Sequence, residues 1–80
     1  MTKFRVTFVS PTEFEWLAAE IEYDGQLICR IRNERPDRAL EIEFNFDTYV
    51  DQTMRPILPL DEFVKLLAEV SKEVADCRTT

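Results

Sequence analysis

The stretch Leu17-Ala18-Ala19-Glu20-Ile21-Glu22-Tyr23-Asp24-Gly25-Gln26-Leu27-Ile28-Cys29-Arg30-Ile31-Arg32 decides how this chain folds. Two readings compete for its first part. As a helix, Phe14, Leu17, Ala18 and Ile21 fall at i, i+3, i+4 and i+7, and Ser10-Pro11-Thr12-Glu13 ahead of them has the form of a capping box with proline at the first helical position. As a strand, Leu17, Ala19, Ile21 and Tyr23 alternate with Ala18, Glu20 and Glu22, and the Ser10 to Glu13 segment is a tight turn with Pro11 second. The residues that follow favour the strand. Tyr23-Asp24-Gly25 suits a three-residue hairpin loop closed by a left-handed glycine. That loop sets Ile21 opposite Leu27, Ala19 opposite Cys29 and Leu17 opposite Ile31 on one side, and Glu20, Ala18 and Trp16 opposite Ile28, Arg30 and Arg32 on the other. The helix reading offers residues 26–33 no comparable partner.

Working outward, Phe4, Val6 and Phe8 alternate with Arg5 and Thr7, the period of a half-buried strand. Residues 33–38 form a polar loop around Pro36. The clearest strand follows, Leu40-Glu41-Ile42-Glu43-Phe44-Asn45-Phe46, and beside residues 26–32 it brings Glu41 and Glu43 to the flank of Arg30 and Arg32. An acidic, basic, acidic ladder across three strands supports a meander order, and exposed pairs of this kind specify register more than they stabilise. Residues 47–59 are a long connection with a short edge strand near Met54 to Leu58, confined to an edge by Pro56. From Leu60 the pattern is helical. Leu60, Phe63, Leu67, Val70 and Val74 share one face with Val64 and Leu66 beside them, Asp61 and Glu62 suit the positive end of the dipole, and Lys65 is placed to pair with Glu69. The expected architecture is a single α+β domain over residues 1–80. It is a three- to four-stranded antiparallel meander whose apolar face (Phe4, Val6, Phe8, Leu17, Ile21, Leu27, Ile31, Leu40, Ile42, Phe44, Phe46) is covered by one C-terminal helix, about Leu60 to Asp76.

Composition narrows the function. Eighty residues allow one small core, and a chain of this size buries only about 60% of its unfolded surface, so few apolar side chains are spare for a pocket. A hydrophobic content of 45% with six phenylalanines argues against disorder. There is no histidine, the commonest general base and metal ligand. Cys29 and Cys77 lie too far apart in sequence for a zinc knuckle or a redox CxxC pair and read as free thiols. Cys29 points inward as a small hydrophobe. The lone glycine, Gly25, excludes a phosphate-cradling loop. Sixteen acids against ten bases disfavour nucleic acid and anionic lipid, and no apolar run approaches bilayer length. The amino end lacks the apolar core of a signal peptide, and a cytoplasmic protein without cofactor or metal is expected.

The acids are clustered: residues 11–28 carry five and residues 39–53 carry four, with no base in either stretch. The candidate constellation is the outer sheet face of Glu20, Glu22, Arg30, Arg32, Glu41 and Glu43, with Trp16 beside it. Catalysis by paired carboxylates needs a recessed setting, which a flat ladder interleaved with arginines does not provide. A solvated face has the same pattern, and acidity commonly reflects solubility. An acidic surface also speeds association with a basic protein. Trp16 near Arg32 has the composition of an interface hot spot. Alternatively it packs under the 47–59 connection, near Tyr49, or covers the sheet edge in the helix reading.

Three segments, Ala19-Glu20-Ile21-Glu22-Tyr23-Asp24-Gly25-Gln26-Leu27, Leu40-Glu41-Ile42-Glu43-Phe44 and Pro59-Leu60-Asp61-Glu62-Phe63, resemble a group of small uncharacterised bacterial α+β proteins, some of which look like immunity or accessory proteins encoded beside toxins. The resemblance implies a meander followed by a helix and carries no catalytic residue. The expected function is therefore a non-enzymatic, immunity- or inhibitor-like domain that docks a basic partner through Trp16, Glu20, Glu22, Glu41 and Glu43, with Arg30 and Arg32 among them. The alternative is a module that forms a homodimer through a sheet edge or the outer face. An enzyme would need a cleft between the 47–59 connection and the sheet.

Overall fold

A computed structural model describes residues 3–44 and 57–78. The order is β1 (Phe4–Val9), β2 (Ala18–Tyr23), β3 (Gln26–Arg32), β4 (Glu41–Phe44) and α1 (Leu60–Asp76). The four strands form one antiparallel sheet in the order β1-β2-β3-β4, with α1 packed on β2 and β3. The fold is α+β, a meander with one C-terminal helix, as the alternation and the helical stripe predict. The strand reading of residues 18–23 holds. Residues 10–17 form an irregular connection with a turn in which the Phe14 N–H donates to the Pro11 carbonyl, so Pro11 is first in the turn and not second.

The expected hairpin register is corrected. The β2–β3 loop has two residues, Asp24 and Gly25, both with positive φ (52° and 80°), which is the Asp-Gly form of the primed turn that matches strand twist. Tyr23 pairs with Gln26 and Glu22 with Leu27; then a bulge shifts the register so that Ile21 faces Cys29, Glu20 faces Arg30 and Ala19 faces Ile31. The displacement after the bulge is two residues, which preserves the faces of Ala19, Ile21, Cys29 and Ile31. Leu27 and Ile28 change roles. The bulge leaves Ile28 as the extra residue and turns it into the core, while Leu27 lies opposite Glu22 on the outer side.

The core consists of Ala19, Ile21, Ile28, Cys29 and Ile31 from the sheet with Val70 and Val74 from the helix. Phe4, Val6, Tyr23, Leu40, Leu58, Phe63, Leu66 and Leu67 pack around it. Phe4 anchors one end, 4.7 Å from the Tyr23 ring and stacked on Phe63 at 5.9 Å. Phe8, Leu17, Ile42 and Phe44, expected inside, are exposed. The reason is width. Strands lie about 4.8 Å apart, and a helix about 10 Å across lies over the middle two of four, reaching the edge strand β1 at Phe4 but leaving Phe8, Ile42 and Phe44 open, while Leu17 lies in the connection ahead of β2. Leu60 and Val64 are exposed as well; at 3.6 residues per turn Val64 falls on the flank of the stripe formed by Phe63, Leu67, Val70 and Val74. Among the described residues Lys65 and Glu69 make no ion pair; the ion pairs belong to arginines. Phe46, Tyr49 and most of the 47–59 connection, including Met54 and Pro56 of its expected edge strand, lie outside the described residues, and residues 57–59 are not strand.

Candidate functional site

Pleating sends alternate residues of each strand to the face away from the helix. In register this sets Thr7, Glu20, Arg30 and Glu43 in one row and Val9, Ala18, Arg32 and Glu41 toward the end of the sheet. Arg30 is central, its side chain only 14% exposed. Its Nη2 donates to Glu20 Oε2 at 3.0 Å, and its Nη1 lies 3.6 Å from Glu43 Oε1. Arg32 continues the network, with Nη1 3.6 Å from Glu43 Oε1 and Nε 3.7 Å from Glu41 Oε1. These longer contacts are ion pairs rather than hydrogen bonds. The ladder read from the sequence therefore forms, with Glu43 shared between two guanidinium groups.

Phe14 covers the ladder, its ring centroid 4.4 Å from Arg32 Cζ and 5.2 Å from Arg30 Cζ, both cation–π contacts. The Glu34 carboxylate holds this connection in place by accepting the backbone N–H of Glu15 at 2.7 Å and of Trp16 at 2.9 Å. Trp16 does not stand beside Ile28 and Arg32, as the sequence register had it. It is half-buried in the 10–17 connection under Arg78, whose Cζ lies 5.1 Å from the indole. Arg78 Nη1 also donates to the Asn33 carbonyl (3.0 Å), Asn33 Oδ1 (3.2 Å) and the Arg35 carbonyl (2.7 Å), fastening the end of the helix to the β3–β4 connection. That connection is closed by Arg35 and Asp37, whose paired hydrogen bonds of 3.0 and 2.8 Å hold the Asp37 carboxyl below its ordinary pKa.

Glu20, Arg30, Arg32, Glu41 and Glu43 thus come together in one network. Glu22 shares the face but lies opposite Arg5 and Leu27, and Trp16 belongs to a separate cluster. Phe14, Glu34, Asn33 and Arg78 escape a reading of the sequence because their contacts join residues far apart in the chain, from Phe14 with Arg30 to Trp16 with Arg78, and follow no periodicity. Of the two thiols, Cys29 is buried, which pushes its pKa up to about 11, and Cys77 is exposed. Among the described residues no three histidine, cysteine or carboxylate side chains gather where they could hold a metal ion, and no helix is long and apolar enough to cross a membrane. Of the connection that a catalytic cleft would need, residues 47–56 lie outside the described residues. Comparison with protein-family models, with curated proteins and with solved structures found no match.

Proposed function

We propose that this chain is a non-enzymatic protein-binding domain, immunity- or inhibitor-like, that acts in the cytoplasm by docking a basic partner surface on its acidic sheet face. One observation carries the reading. Arg30, at the centre of the face, is turned to internal partners with its side chain 14% exposed, while Glu41 at the β4 border stays open, its side chain 43% exposed. Glu41 and Glu43 are then the leading contacts, Glu20 and Glu22 extend the field, and Trp16 contributes from the adjoining connection. Such a surface accelerates encounter with a positively charged protein and repels nucleic acid.

The test is capture from a lysate of the source organism by tagged protein at low salt and at about 1 M salt, where the Debye length falls to about 3 Å. A stoichiometric basic protein held at low salt, released at high salt and lost with Glu41→Lys supports the reading. Recovery of the domain alone at both salts sinks it. The homodimer reading is kept alive by a specific feature, the exposed Ile42 and Phe44 on β4.

A further inference from the structure

We propose that residues 10–17 form a strap that opens as one unit while the sheet and helix stay folded, and that the end of α1 controls the opening through Arg78. The inference concerns the molecule itself and does not depend on which partner its acidic face binds. No residue of the strap belongs to the described core or to the side chains packed around it. The strap is held at three other points. Phe14 lies over Arg30 and Arg32, the Glu15 and Trp16 N–H groups donate to the Glu34 carboxylate, and the Trp16 ring lies against Arg78. Segments with few buried apolar contacts and with hydrogen bonds near solvent open at free energies below that of global unfolding.

The holding points form a chain that begins at the helix end. Arg78 Nη1 donates to the carbonyls of Asn33 and Arg35 and to Asn33 Oδ1, so it grips the residues on both sides of Glu34. Glu34 in turn holds two N–H groups of the strap. Arg78 also meets the strap directly, 5.1 Å from the Trp16 ring. One guanidinium thus ties the strap to α1 by two routes, the Trp16 contact and the 33–35 backbone. The closed arrangement carries a cost that opening relieves. Trp16 Nε1 and Arg78 Nε are both shut off from solvent with no hydrogen-bond acceptor among the described residues, and a buried donor without a partner forfeits its hydration. Opening returns both donors to water as it breaks the contacts to Glu34 and Arg78. It also lifts Phe14 from two guanidinium groups, so the position of the strap decides whether Arg30 and Arg32 carry an aromatic cap. A ligand that favours one of the two arrangements shifts the balance between them.

Amide hydrogen exchange of the full chain at low urea concentrations, followed residue by residue by nuclear magnetic resonance, tests the strap and its control separately. The Glu15 and Trp16 amides should share one protection factor, lower than those of Ala19 and Ile31 in the two central strands. Their exchange should also depend less on urea, because opening the strap exposes less surface than unfolding. Exchange of all four amides with one protection factor and one urea slope overturns the proposal, since the strap then leaves only with the whole fold. Different protection factors for Glu15 and Trp16 overturn it as well, since the strap is then not a unit. Arg78→Gln leaves both Glu34 bonds to the strap in place, yet it should lower the protection of Glu15 and Trp16 by about tenfold. Unchanged protection of Glu15 in that variant overturns control by the helix end. Should Arg78→Gln fail to fold, Arg78→Lys takes its place with the same two outcomes, because it keeps the charge and lacks the planar fork that spans Asn33 and Arg35.

Discussion

The two faces of the sheet are built from neighbouring residues and held by different forces. Cys29 and Ile31 enter a dry core with Ile21 and Val74, whereas Arg30 and Arg32, interleaved with them, stay on a half-wet face among Glu20, Glu41 and Glu43. The inner face gains from the area it removes from water, about 25 cal/mol per Å², and any apolar side chain of suitable volume would serve. The outer face gains little per contact, since exposed pairs contribute about 0.2–1 kcal/mol. Its contribution is register: with Glu43 between Arg30 and Arg32, a slip that broke the alternation would remove every ion pair at once. Burial tells the chain to collapse, and the charge ladder tells it which strand residues must meet.

The contrast can be broken most forcefully from the inside. Ile21 is fully buried in the cluster that sheet and helix share, so Ile21→Ala should lower stability by about 3–4 kcal/mol, read as a reduced urea midpoint, and a loss under about 1 kcal/mol would show that the core is not shared between sheet and helix. A smaller effect comes from pH. The Cys29 thiol is neutral in both states below its ordinary value of 9.0, but above it the unfolded thiol ionises while the folded one, with a pKa of about 11, does not. Stability should therefore fall between those values by about 1.4 kcal/mol per pH unit from this group, about 2–3 kcal/mol in all, and Cys29→Ala should remove that part of the slope. Parallel alkaline profiles for the two proteins would show that the thiol is not held in a dry site.

The outer face should respond least. Arg30→Met leaves Glu20 and Glu43 facing one another without their guanidinium and should destabilise by about 1–2 kcal/mol, with a smaller loss when Glu20→Gln is already present. A double-mutant cycle by chemical denaturation measures the coupling, and additivity would mean that the ladder is a row of independent contacts. Repeating the cycle at high salt sharpens the comparison, because the coupling should shrink while the Ile21→Ala effect is unchanged.

Much of this was readable from the chain. Alternation in Phe4 to Val9, in Ala18 to Tyr23 and in Glu41 to Phe44 identifies strands and their inner faces, and the apolar stripe from Phe63 to Val74 identifies the helix and its inner face. The charge ladder followed from the same period. The departures are local and have named causes. The two-residue turn and the bulge changed the register and exchanged Leu27 for Ile28 in the core. One helix cannot span four strands, so Ile42 and Phe44 stayed outside. Trp16 left the outer ladder because residues 10–17 take their course from Glu34, and from Arg78 at the far end of the helix.

The sequence by itself determined the α+β class, the C-terminal helix, the alternating faces of β1 and β4 and the signs of charge on them, because these depend on periodicities of two and 3.6 residues that a short segment expresses alone. Tertiary structure decided the bulged register, the cover of Phe14 over Arg30 and Arg32, the fastening of Arg78 to Asn33, and which apolar residues the helix could reach. Those features join residues distant in the chain through the width of a helix and the reach of single side chains, and no local pattern of residues encodes either.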